Sequence, residues 1–201
     1  MKLLVTGFEP FGGECINPSW EAVRLLPDSS SGHTLVKLLL PVDYARASAL
    51  LGDALREHSP DAVLSVGQAG GRADLALEKV ALNQAGNPNA PPPPGFLSGH
   101  RIEQDAPAAY FATLPLDAVK DALAQAGIPA SLSLSAGTYL CNFVMYCALH
   151  WAAQCSRNAR CGFIHVPFLP EQAAAKDPPP PSMELTLIAK ALEISIRAIL
   201  S

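Results

Sequence analysis

Charge is scarce in this chain. Lys and Arg number 14 against 18 Asp and Glu in 201 residues, for a formal net charge of −4. The basic residues are scattered, so there is no cationic stripe to neutralise a phosphate backbone, and nucleic acid is not an expected partner. Long hydrophobic runs are missing too. No window approaches about 18 consecutive apolar residues, so no membrane span and no membrane partner are expected. The opening "MKLLVTGFEPFGG" has too short an apolar run for a secretory leader, and a cytoplasmic location is the expectation. The five cysteines (Cys15, Cys141, Cys147, Cys155, Cys161) include no close C-x-x-C pair. That argues against a disulfide framework and against the usual zinc spacing, so free thiols are expected, with no metal and no cofactor.

What the chain has in quantity is apolar mass, 49% of its residues. Such a composition suits strands covered on both faces, and the length suits one domain spanning 1–201. "KLLVTGF", "TLVKLLLPV" and "DAVLSVGQAGG" read as strands, "ADLALEKVALN" as one further extended piece, and "ASLSLSAG" and "CGFIHVPFLP" as two later strands. Between them lie helical patterns: "NPSWEAVRLLP" with Asn17 as N-cap and Pro18 in the first position, "DYARASALLGDALREHSP" with Asp43 as cap, "LPLDAVKDALAQAGIP", and "CNFVMYCALHWAAQC". "MELTLIAKALEISIRAIL" closes the chain as a helix. The stretch 84–107, rich in proline and glycine, is expected to be a surface loop. Strand and helix alternate throughout, which predicts an α/β sandwich around a mostly parallel, twisted sheet.

In such sheets ligands collect beyond the carboxyl ends of the strands. Cys141 follows the strand "SLSLSAG" and opens a helix, where unpaired backbone N–H groups and the helix dipole stabilise a thiolate. A buried structural thiol fits the same spacing. His165 lies near the carboxyl end of an apolar strand, so its ring is either satisfied within the core or faces a cleft. Together with Cys141, on what reads as a neighbouring strand end, it makes a nucleophile and base pair. Alternation over "ALEKVALN" puts Ala76, Glu78, Val80 and Leu82 on one face. A histidinium would pair the Glu78 carboxylate there; an exposed edge, or an ion pair with Lys79 or an arginine, would serve equally. "GQAGGR" lacks the second glycine of a dinucleotide-binding turn and is read as a tight turn admitting a ligand closely. Phe8 and Phe11 in "GFEPFGG" are core lids or the walls of a flat, uncharged pocket.

Taken in order, "TGFEPFGGECINPSWEAV", "SVGQAGGR", "EKVALN", "PAAYFATLP", "SAGTYLCN" and "GFIHVPF" resemble the pyroglutamyl peptidase I family, the pyrrolidone-carboxylate peptidases, over nearly the whole chain. The resemblance implies a three-layer α/β/α sandwich and a cytosolic cysteine peptidase acting on N-terminally pyroglutamylated peptides. It implies Cys141 as nucleophile, His165 as base and Glu78 as third member. The ring pocket would use Phe8, Phe11, Tyr139 and Leu140, with Asn17 and Gln68 as polar contacts. A homotetramer is implied as well. After "VALN" the chain departs from the family's Asp-Ala-Arg-Ile-Pro-Asp-Asn-like segment and has no arginine at the matching place; Val42 stands where a hydroxyl residue is expected. Two alternatives stay open: a catalytically weak relative that binds pyroglutamyl peptides, prompted by the altered loop 84–99, and a nucleoside-phosphorylase-like enzyme, with Arg72 its only nearby phosphate ligand.

Overall fold

The computed structural model describes residues 1–86, 100–155 and 158–201. Strand β1 (Lys2–Phe8) leads to α1 (Pro18–Leu25), and the two-residue β2 (Ser29–Ser30) turns back into β3 (His33–Leu40), followed by α2 (Tyr44–His58) and β4 (Ala62–Gln68). Then come β5 (Leu75–Glu78), β6 (Val80–Leu82), β7 (Ala109–Phe111), α3 (Leu116–Gln125), β8 (Ala130–Ser133), α4 (Leu140–Gln154), β9 (Arg160–Val166), the short α5 (Pro170–Ala174) and α6 (Leu185–Leu200). The helix starts follow local chemistry. Asn17 Oδ1 accepts the Ser19 N–H at 3.1 Å with Pro18 in the first turn, and Asp43 Oδ1 accepts the Arg46 N–H at 2.8 Å, each satisfying a donor that the helix itself leaves unpaired.

Seven strands form one sheet in the order β2-β3-β1-β4-β9-β5-β8, and β6 pairs with β7 in a separate ribbon. The run β3-β1-β4-β9 is parallel, β5 is antiparallel to β9, and β8 is parallel to β5. Helices cover both faces, giving the expected sandwich. On one face Leu3, Val5, Leu64, Val66 and Ile164 pack against α1, α3 and α6; on the other Leu4, Val63 and Phe163 pack against α2 and α4. Alternate residues of the same strands therefore build two separate cores.

Two expectations change here. The segment read as one extended piece is two strands in two sheets, so Glu78 does not share a continuous face with Val80 and Leu82. Lys79 is the swivel: its N–H donates to Ser133 O at 2.7 Å, finishing the ladder of β5, while its carbonyl accepts the Ala112 N–H at 2.8 Å beside β7. Leu75–Glu78 is buried throughout in the main sheet. The strand before Cys141 is also not a neighbour of the strand bearing His165, because β5 is inserted between β8 and β9. The strand β7 and the helix α5 had no periodic signal of their own.

Candidate active site

His165 is the sixth residue of β9, with its ring on the face covered by α2 and α4. The antiparallel register sets Ala76 opposite His165 and Glu78 opposite Phe163, so Glu78 lies diagonally across from His165 on one face. The ring Nδ1–H donates to Glu78 Oε1 at 2.8 Å, leaving Nε2 for chemistry. Glu78 is 0% exposed and His165 6%.

Cys141 is the second residue of α4. The helix runs back along the sheet: just past its midpoint Ala148 O accepts from the thiol of Cys161, at the start of β9, while its N-terminus lies over the carboxyl ends of β4 and β9. The parallel strands β4 and β9, rather than the strand preceding Cys141, thus supply the carboxyl-end geometry. Gly67 makes the fit possible. A Cβ placed there would stand 2.8 Å from Cys141 Sγ and 2.7 Å from the Phe163 ring, so any side chain would displace the sulfur. Asn142 secures the helix rotation, accepting the Leu82 N–H at 2.7 Å and donating to Leu82 O and Gln84 O at 2.9 Å each.

Burial of the His165 ring favours its neutral form. The charge of the Cys141 sulfur, its hydrogen bond to the ring, and the hydrogen bond and charge of Glu78 outweigh that, raising the pKa from the usual 6.5 to about 9. The site therefore favours an imidazolium at His165. Desolvation acts the other way on the thiols of Cys147 and Cys161, each pushed up to about 12, so the structural reading suits them.

A cavity of about 400 Å³ opens onto Cys141 and His165. All six residues expected to bind the ring line it: Phe8, Phe11, Asn17, Gln68, Tyr139 and Leu140. Phe8 is buried with its ring 6.4 Å from that of Phe163, whereas Phe11 (42% exposed) and Tyr139 (64%) stand at the mouth. Asn17 spends its amide on the scaffold: Oδ1 also accepts from Ser19 Oγ at 2.8 Å, and Nδ2 donates to Glu9 O at 2.9 Å. Val42, Tyr44 and Ala136 complete the lining. Tyr44, whose ring meets Phe143 edge-on at 5.2 Å, was missed in the sequence, although an aromatic in the first turn after a strand's carboxyl end is the signal that would have found it.

At Gly70 the turn "GQAGGR" admits a close neighbour, the Phe168 ring, 2.2 Å from where a Cβ would sit, while Gln68 of the same turn lines the cavity. Of the loop 84–99, residues 87–99 lie outside the described residues. Its flanks are sewn together: the Ala85 N–H donates to His100 O at 2.7 Å and His100 Nδ1 to Ala85 O at 2.9 Å, both residues being buried. The expectation of plain surface therefore fails at these two positions. A second cavity, of about 520 Å³, lies beyond Tyr44 and includes Arg101, Cys147 and His150. Its thiol, Cys147, is one of the two that desolvation keeps protonated, whereas Cys141 and His165 both line the smaller cavity.

The sequence model of the pyroglutamyl peptidase family matches residues 1–201. The pyrrolidone-carboxylate peptidase of Thermococcus onnurineus is 49% identical over 198 residues, covering 98% of each chain, and that of Finegoldia magna is 45% identical over 206 residues, covering 100% of this chain and 93% of its own. Among solved structures, pyroglutamyl peptidase I of Bacillus amyloliquefaciens superposes with a TM-score of 0.89 at 38% identity, covering 98% of this chain and 96% of that one. The pyrrolidone carboxyl peptidase of Thermococcus litoralis gives 0.91 at 37%, covering 99% and 93%. Neither set favours a nucleoside phosphorylase. With full-length agreement in sequence and in backbone, this chain belongs to the pyroglutamyl peptidase family.

Proposed function

We propose that this chain is a cysteine exopeptidase that hydrolyses the amide bond after an N-terminal pyroglutamyl residue, with Cys141 as nucleophile, His165 as acid and base, and Glu78 holding the ring. The observation that carries this reading is the convergence of Cys141 and His165 on one apolar cavity, with Glu78 hydrogen-bonded to the far nitrogen of the ring. The thiolate attacks the pyroglutamyl carbonyl, a sulfur–carbon bond forms, and the carbonyl electron pair moves to oxygen. The first-turn N–H groups of α4, which have no intrahelical acceptor, face that oxyanion. Collapse breaks the carbon–nitrogen bond, and the departing amine takes the proton from His165 Nε2. The now neutral ring accepts a proton from water, whose oxygen attacks the thioester and releases pyroglutamate and the thiolate.

Selectivity follows from what the cavity lacks. Among the described residues none that lines it is acidic, and the one titratable cation in its lining is His165. A lactam enters without charge, whereas an uncyclised glutaminyl terminus brings an ammonium that finds no counter-charge and meets the imidazolium. Hydrolysis of pyroglutamyl-coumarin amide at least about 10³-fold faster than of the glutaminyl amide is expected, on the scale of a buried unpaired group; comparable rates would overturn the reading. We also propose that residues 1–201 act as one cytosolic domain within a homotetramer, which the exposed apolar side chains Phe111 and Leu134 support. A monomer mass in sedimentation velocity would overturn the assembly. Among the described residues no helix is long and apolar enough to cross a membrane.

A further inference from the structure

Gln172 lies on α5, outside the cavity lining, and is 3% exposed. Its Oε1 accepts the Leu169 N–H at 3.0 Å. A backbone N–H can only donate, so the orientation of the Gln172 amide is fixed by the network. Its Nε2 is thereby turned toward Gln68 Oε1 at 3.1 Å and Ile16 O at 3.4 Å, with the Glu14 carboxylate a further acceptor beside it. With its oxygen occupied, Gln68 has its own NH₂ left to present to the cavity that it lines. The segment is anchored a second time. Lys176 Nζ pairs with Glu14 Oε1 at 2.6 Å, and the same ammonium stands 4.9 Å from the centre of the Phe168 ring.

We propose that Gln172 is a positioning residue that sets the polarity of the pocket: it holds the Gln68 amide with its donor toward the ligand, matching the ring carbonyl oxygen of a lactam. The chain of custody runs from a backbone N–H through two side-chain amides, each link forced by the one before. The proposal deepens the peptidase reading and rests on it for the identity of the lactam. A ring lacking that carbonyl offers nothing to the donor and gains nothing from it.

The test is a mutant cycle read with pyroglutamyl-coumarin amide as substrate and 2-pyrrolidone as competing ligand. In Gln172→Glu the ionised carboxylate still accepts from Leu169 but cannot donate to Gln68, whose amide turns over and presents oxygen to the lactam oxygen. KM and the pyrrolidone inhibition constant are expected to rise about tenfold, one hydrogen bond's worth, with kcat little changed. The penalty relative to wild type should shrink at acidic pH, where the new acid, facing the Glu14 carboxylate and its Lys176 partner, is protonated and donates to Gln68 Oε1 again. In a Gln68→Ala background the same substitution is expected to add less than about twofold, since the intermediary is gone. Equal losses in both backgrounds, or a fall in kcat at unchanged KM, would overturn the proposal, and a lowered melting temperature common to both backgrounds would not mimic the expected pattern. Should wild type bind pyrrolidone with this dependence yet cleave no pyroglutamyl amide, the positioning role stands and the peptidase reading fails; hydrolysis by wild type with binding indifferent to Gln172→Glu has the reverse meaning.

Discussion

The two faces of the main sheet are made by the same strands and do opposite work. On β1, Leu3 and Val5 face α1 and α6, while Leu4 and Phe8 face α2 and α4; on β9, Ile164 and Val166 go one way, Cys161 and Phe163 the other. The first face is mainly hydrocarbon, with polar exceptions at Lys37, at Gln68 on the carboxyl end of β4, and at Ser195 of α6, whose hydroxyl donates to Ala191 O. The second carries His165 and the contacts to Cys141 and Glu78, and strand alternation also sends the buried hydroxyls of Thr6 and Ser65 to that side. Neither hydroxyl has a protein hydrogen-bond partner among the described residues. The difference teaches that stability and chemistry are separated by a single step along the chain, so substitutions one residue apart should fail in different ways.

The sharpest contrast comes from Cys141→Ala. Turnover of pyroglutamyl-coumarin amide should fall by at least about 10³-fold, as for loss of a catalytic nucleophile, while the melting temperature stays near wild type. Retained turnover would remove the second face from the mechanism. Glu78→Gln follows, with an expected loss of about 10²-fold in kcat/KM. The carboxylate's hydrogen bond and charge help to raise His165 toward about 9, so the alkaline limb of the pH profile should move to lower pH in this variant. The sign for stability is the same: a pKa raised above the unfolded 6.5 stabilises the fold fully below about 6.5, and the gain is lost as pH climbs through about 9. Glu78→Gln should flatten that slope, and an unaltered limb would exclude coupling between the pair.

On the other face, Leu64→Ala removes a fully buried side chain and should cost about 2–5 kcal/mol in denaturant unfolding, with kcat of the folded enzyme unchanged. A large fall in kcat there would break the separation. The smallest effect is expected from Thr6→Val, within about 1 kcal/mol of wild type, because deleting a buried hydroxyl that lacks a protein partner removes little that was gained on folding. A loss above about 2 kcal/mol would mean that the hydroxyl is held.

How much of this was legible in the sequence depends on the range of the interaction. Helix starts at Asn17 and Asp43 and the strands around Val63 and Ile164 were readable because caps and alternation are local. The three converging side chains were individually conspicuous, but no spacing predicts that β5 enters the sheet antiparallel between β9 and β8, the event that brings Glu78 to the ring. The break at Lys79 was hidden because alternation continues smoothly through it. Asn142 and Gln172 left no signal at all: each holds backbone or side-chain groups far away in the chain, Leu82 in one case and Gln68 and Ile16 in the other, and a buried amide has no period.

Asn142 has a mechanical consequence. Neighbouring residues of an α-helix project about 100° apart, so an amide pinned to the β6 segment indexes the angular setting of the whole cylinder, and with it the aim of the sulfur one position earlier. Adding or deleting a residue in the ribbon between Val80 and Leu82, a place outside the cavity lining, would turn that pointer away from His165.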